Sequence, residues 1–392
     1  SNGQLLSGGI NMADYRVISS DSHIFEPPDL WTERIGPKFK DRAPHVVSMD
    51  DGDWWYCDGR RVTSMDFGAK TGIRFEEPEK LSATSRVESV RLGGLIPEEH
   101  VKDMDVDGVD AGVIFPSNAF KLYNTVQDSV LLTACFRVYN DWITEFCQTY
   151  PDRLYGIAML NVDDVREGIA EMERCSKMGL VGAMIPVYPH DGTRYNSPVY
   201  ESLWRAAQDL RMPVHLHILT NRLRVGDEFG DHHGGKLAAG GDDSPAFLAA
   251  HDYWARMSLG DMIFSGVFER YPELQVGAVE FELAWIPHFL RQIDYVYTQR
   301  ILGPDTYRFN SDILPSDFFH SNVFVGFLED GLGIRMRDII GVDNMMWGSD
   351  YPHPESTFPR SKAVLEDILR DCTEDEKAKI AGGNAARVYR IG

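Results

Sequence analysis

The chain alternates between two hydrophobic patterns. Short, continuously apolar runs occupy Tyr15–Ser20, Ala111–Pro116, Leu154–Leu160, Val181–Pro186, Pro213–Leu219, Leu274–Glu280, Val323–Phe327 and Met345–Gly348. They are too short and too uniformly apolar for amphipathic helices, and they suit parallel strands buried on both faces. Between them lie stretches with helical periodicity, among them Ser129–Tyr150, Val165–Met178, Pro198–Leu210 and Ala284–Arg300. Proline ends two of the preceding helices, at Pro213 and Pro272. Eight strands alternating with helices predict an α/β fold, a (β/α)8 TIM barrel, rather than a doubly wound sheet. Two connections are long: residues 24–108 after the first strand and 220–262 after the fifth. Both should emerge at the C-terminal face of the barrel, where barrel active sites lie, and a lid over the site is expected from them.

Length alone, 392 residues, allows two or three domains. The strand pattern reduces this to one, spanning 12–392 with insertions 24–108 and 220–262; residues 1–11 read as an added tail ahead of Met12. Against 39 Lys and Arg stand 60 Asp and Glu, a net charge of −21. That balance argues against nucleic acid or an anionic membrane as partner, since both need clustered cations. No apolar run reaches the ~18 residues of a membrane helix. The five cysteines are scattered, with no CxxC pair. A disulfide framework is not expected, a cytoplasmic protein is, and the thiols read as buried rather than nucleophilic.

Charge-bearing residues gather at the ends of the apolar runs. The first strand ends in Asp21-Ser22-His23 and is followed by Glu26, the fifth contains His215 and His217, the sixth ends at Glu280, and the eighth leads into Asp350 and His353. Alternate residues of a strand share a face, so Asp21 and His23 can point at the barrel axis, as can His215 and His217. Imidazoles and carboxylates converging there suit a divalent cation.

This layout resembles the amidohydrolase superfamily, in particular its amidohydrolase-2 branch of metal-dependent barrels, which includes enzymes like aminocarboxymuconate-semialdehyde and γ-resorcylate decarboxylases. The segments that carry the resemblance are Ser20–Pro27, Pro213–His217, Ile263–Pro272 and Trp347–Pro352, in order along nearly the whole chain. The resemblance implies Asp21, His23, His217 and Asp350 as metal ligands, with Asp350 also moving protons. Glu280 stands where many members carry a histidine and is expected to act as acid or base. No lysine ends the fourth strand, and Lys177 lies in the helix before it, which disfavours a lysine-bridged pair of metals.

Several residues keep two readings. Glu26 either orients a ligand or caps a turn. His215 is either a further ligand or a brace that faces away. Trp54 and Trp55 either line a substrate pocket or pack locally, and His232, His233 and His353 either reach substrate from loops or serve structure. His288 reads as structural. The expected cofactor is zinc, with manganese or iron, in one or two copies, as the alternative. The expected activity is hydrolysis or nonoxidative decarboxylation of a small aromatic or unsaturated acid. The competing readings are a hydratase or carbon–carbon hydrolase of ring-cleavage products, or a dinuclear oxygen-activating enzyme. A homo-oligomer, dimer or tetramer, is expected, and a silent partner subunit in a hetero-oligomer is the remaining reading.

Overall fold

The structure is a computed structural model and describes residues 15–65, 70–73, 86–189, 193–222, 249–300, 303, 307–310 and 312–392. The strands are β1 (Ile18–Ile24), β2 (His45–Met49), β3 (Gly52–Cys57), β4 (Arg60–Ser64), β5 (Ala111–Pro116), β6 (Leu154–Met159), β7 (Gly182–Ile185), β8 (Val214–His217), β9 (Val276–Val279), β10 (Val323–Phe327) and β11 (Met345–Trp347). Eight of them form one sheet in the order β1-β5-β6-β7-β8-β9-β10-β11, and each neighbouring pair is parallel. Every residue of β5, β7, β8, β9, β10 and β11 is buried, the consequence of helices outside and packed side chains inside. All eight apolar runs are therefore strands of the barrel.

The helices follow the predicted stretches closely. Asp128 and Asp164 accept backbone N–H groups at the starts of helices Ser129–Gln148 and Val165–Met178, and Gly179 ends the latter in the left-handed region.

Strand β1 lies later than the apolar run suggests. The run stops at Ser20, whereas the strand continues through Asp21, Ser22 and His23, all of them buried. Asp21 and His23 are polar because they face the barrel interior, while the Ser22 hydroxyl is satisfied by Ser19 and Ser349. Pairing with β5 slips between Ser19 and Ser22, a bulge that re-aims the side chains around Asp21.

The seam between β11 and β1 is closed by the segment that follows β11. The Asp350 N–H donates to the Asp21 carbonyl (2.9 Å) and the His23 N–H to the Tyr351 carbonyl (2.6 Å). Gly348 permits this approach, because a Cβ there would fall 2.6 Å from the Asp21 Cβ.

The long connection after β1 holds what hydrophobic periodicity did not reveal: a three-stranded antiparallel sheet, β2-β3-β4. Trp55 is buried edge-on against Trp31 (5.3 Å), whose indole N–H donates to the Cys135 carbonyl on helix Ser129–Gln148. Trp54 lies under the Arg61 guanidinium (4.1 Å) and donates to Asp51. Both tryptophans thus pack locally. In the second long connection, helix Asp252–Phe264 occupies the last residues of what was read as insertion. Residues 223–248, with His232 and His233, lie outside the described residues, as does the lid expected there.

Candidate metal centre

Asp21, His23, His217, Glu280 and Asp350 come together at the C-terminal mouth of the barrel. The His23 Nε2 lies 3.2 Å from Asp21 Oδ1 and 3.4 Å from Asp350 Oδ1. The His217 Nε2 lies 3.6 Å from Asp21 Oδ1 and 3.4 Å from Glu280 Oε2. Asp21, His23, His217 and Glu280 each offer an atom within 4.8 Å of the others, and so do His23, Glu280, Asp350 and His353.

These groups fit a cation better than they fit one another. Both Asp21 oxygens, His23 Nε2 and His217 Nε2 are buried and make no hydrogen bond. Four orphaned atoms at one point would be costly unless something else satisfies them. Donors about 2.0–2.1 Å from a tetrahedral ion stand ~3.4 Å apart, which is the spacing seen. The remaining ring nitrogens fix the tautomers. His23 Nδ1 donates to the Pro116 carbonyl (2.7 Å) and His217 Nδ1 to the Ile218 carbonyl (3.1 Å), so both Nε2 lone pairs face the site.

The protonation states agree. Burial, together with the His353 and His217 imidazoles, pushes His23 down to about 3, against the pull of Asp21. Burial favours the neutral form of Asp21, but the proximity of the His217 and His23 rings, 3.6 and 3.2 Å away, outweighs it and holds the carboxyl below its ordinary range. A neutral imidazole and an ionised carboxylate are the forms that bind metal.

Glu280 differs. Its side chain is 21% exposed, while those of Asp21, His23, His217 and Asp350 are fully buried. Burial of its carboxyl group, with Asp350, Asp21, Glu355 and Glu282 nearby, pushes its pKa well above the ordinary range. Glu280 follows β9 directly and Asp350 lies three residues after the end of β11, and both have positive φ, 64° and 55°. Side chains other than glycine rarely adopt that conformation, and where they do it is often at functional sites.

The remaining candidates separate. His353 is buried and 2.8 Å from Asp350 Oδ1 through Nδ1, and its ring stacks on His23 at 4.0 Å. Burial lowers its pKa to about 4. Beyond these groups it meets Ser117 and the Phe25 ring. Glu26 caps a turn: its carboxylate accepts the backbone N–H groups of Ser117, Asn118 and Ala119. His215 does not face away from the barrel. It points inward one layer below His217, among Phe115, Phe324 and Tyr389, with Nδ1 donating to the Ala183 carbonyl and Nε2 accepting from the Tyr389 hydroxyl. The period of two along β8 already required both histidines on one face. His288 is exposed on helix Ile286–Gln299, and Lys177 is exposed on helix Val165–Met178. Ser117, whose hydroxyl lies 3.0 Å from His353 Nε2, escaped the sequence reading, since a lone serine after a strand carries no pattern.

A barrel of eight parallel strands with an imidazole–carboxylate cluster at its C-terminal mouth defines a class: enzymes whose site is built around a divalent cation. The particular family is also shown: the chain belongs to the Amidohydrolase family, which it matches over residues 57–391. That stretch contains His217, Glu280 and Asp350; Asp21 and His23 precede it. The chain is similar to the γ-resorcylate decarboxylase of Rhizobium sp. (strain MTP-10005), at 23% identity over 76% of this chain and 88% of that one. Among solved structures it resembles an amidohydrolase from Mycobacterium avium subsp. paratuberculosis, with a TM-score of 0.76 and 20% identity over 96% of this chain and 99% of the other. It also resembles a dihydroxybenzoic acid decarboxylase from Polaromonas sp. with bound manganese and 2-nitroresorcinol, with a TM-score of 0.64 and 18% identity over 96% and 98% of the two chains.

Proposed function

We propose that this protein is a divalent-metal-dependent, nonoxidative carboxy-lyase acting on a small aromatic or unsaturated carboxylic acid. Asp21, His23, His217 and Asp350 would hold the ion. When bound, it supplies a positive charge that grips a substrate oxygen and draws electron density from the reacting carbon. The observation that carries the reading is Glu280: a carboxyl group at the open side of the cluster, 3.4 Å from His217 Nε2, whose pKa burial and acidic neighbours push well above the ordinary range. Loss of CO2 leaves an electron pair on carbon that needs a proton, and a neutral Glu280 can deliver it and regain it from water. A bound cation would pull that raised pKa down again, and a general acid works best with a pKa near the operating pH.

Two further points belong to this reading. The sequence favoured zinc, but the proposed ligand set has as many carboxylates as imidazoles, and the Polaromonas decarboxylase holds manganese. Both favour manganese here. All five cysteines are buried and free, and among the described residues no helix is long and apolar enough to cross a membrane. Both facts support a cytoplasmic enzyme, and the family resemblance supports a homo-oligomer.

The test combines metal analysis with a substrate panel. Protein purified without added metal should hold about one equivalent of manganese or zinc and release CO2 from one or more hydroxylated or methoxylated benzoic acids. Glu280→Gln should lower kcat by about 10²–10⁴-fold. Asp350→Asn should abolish turnover in a protein with unchanged circular dichroism. Ester, lactone or amide hydrolysis with no CO2 release would overturn decarboxylation in favour of hydrolysis. Two equivalents of iron or manganese with oxygen uptake would favour the dinuclear oxygenase.

A further inference from the structure

We propose that Glu26 is a positioning residue that sets two metal ligands at once, by gripping the turn after β5. Glu26 is fully buried. Its Oε1 accepts the N–H groups of Ser117 (3.2 Å) and Ala119 (3.1 Å), and its Oε2 that of Asn118 (2.8 Å). One carboxylate thereby fixes three consecutive peptide units.

Two branches leave that turn. Its first carbonyl, Pro116, accepts from His23 Nδ1 at 2.7 Å and sets the rotation of the β1 imidazole. The Ser117 hydroxyl lies 3.0 Å from His353 Nε2. His353 Nδ1 in turn lies 2.8 Å from Asp350 Oδ1, an ion-pair contact, so the ring is held between the serine and the carboxylate. The second branch thus orients the carboxylate that follows β11. The branches meet where the His353 and His23 rings stack, 4.0 Å apart and 28° from parallel. Ligands from the first and last strands of the barrel are trained on one point by a group that touches neither.

A plain turn cap would contribute to stability and leave the metal alone. A positioning residue changes the affinity for the ion, as groups that orient metal ligands do, by about 10–100-fold. The inference rests on the reading that the cluster holds a divalent metal, so Mn²⁺ binding to the metal-depleted wild-type protein is measured first, without substrate. A wild-type protein that binds no Mn²⁺ would sink both ideas. Given wild-type binding, Mn²⁺ dissociation constants and Mn²⁺ electron paramagnetic resonance spectra are compared for Glu26→Gln, Ser117→Ala, His353→Gln and the Ser117→Ala/His353→Gln double variant. Glu26→Gln should weaken binding by about 10–100-fold and alter the spectrum. Ser117→Ala should weaken it by a smaller factor, and the double variant should be no weaker than His353→Gln, because serine and histidine lie on one branch. Wild-type affinity in Ser117→Ala, or in Glu26→Gln, would overturn the proposal while leaving the metal centre standing. Should Glu26→Gln fail to fold, Ser117→Ala removes only a hydroxyl, and its affinity and spectrum decide.

Discussion

His215 and His217 stand two residues apart on one short strand, both fully buried, and the barrel uses them in opposite ways. In the lower layer each His215 nitrogen has a partner, and the ring is stacked on Tyr389, 8° from parallel. In the upper layer His217 Nε2 has no hydrogen bond, and it faces Asp21 and Glu280. Burial is the same in both. What separates a structural histidine from a ligand is whether its second nitrogen is satisfied from within the protein. The lower layer is closed on itself, and the upper layer is complete only with something added.

The widest difference should come from His217→Ala. It should remove metal from the purified protein while leaving the barrel folded, and full metal content by elemental analysis would erase the distinction between the layers. His215→Ala should do the reverse. It should keep the metal and cost about 3 kcal/mol in denaturant unfolding, through a cavity and two lost hydrogen bonds. Loss of metal in this variant would make both histidines part of one site.

Acid sharpens the comparison further. Burial lowers His215 to about 3. Below the ordinary value of ~6.5 the unfolded chain takes up a proton that the folded one refuses, so stability falls as pH drops from there towards 3. Between pH 6.5 and 5 this one group should cost about 2 kcal/mol. His215→Phe should flatten that part of the stability curve, and an unchanged slope would show that the lower layer does not hold a neutral imidazole. The smallest effect is expected from Tyr389→Phe, which takes away the donor to His215 Nε2 and should cost ~1 kcal/mol with metal content unchanged.

Much of this was legible beforehand because barrel chemistry sits at strand ends, and strand ends can be read from apolar runs. Asp21, His23, His217, Glu280 and Asp350 were found in that way. The rest resisted for identifiable reasons. The β2-β3-β4 sheet hid because Trp54-Trp55-Tyr56 is aromatic on both faces and shows no alternation. Ser117 and the Pro116 carbonyl have no sequence signature, because their roles exist only when β1, β5 and the segment after β11 have met. Glu26 was left between orienting a ligand and capping a turn, and the contacts of that turn join the two roles.

The seam between β11 and β1 has a consequence in time. Ser349 and Ser19, whose hydroxyls meet across it, are 330 residues apart in the chain. The contacts that close the ring are made by Asp21, His23 and Asp350 themselves, or by their immediate neighbours. In a growing chain these contacts must wait until residue 351 has been made, and closing so long a loop is slow. The site therefore does not exist on any partly assembled barrel. A strand made early waits for a strand made late, and a captured ion would report that the circle has closed.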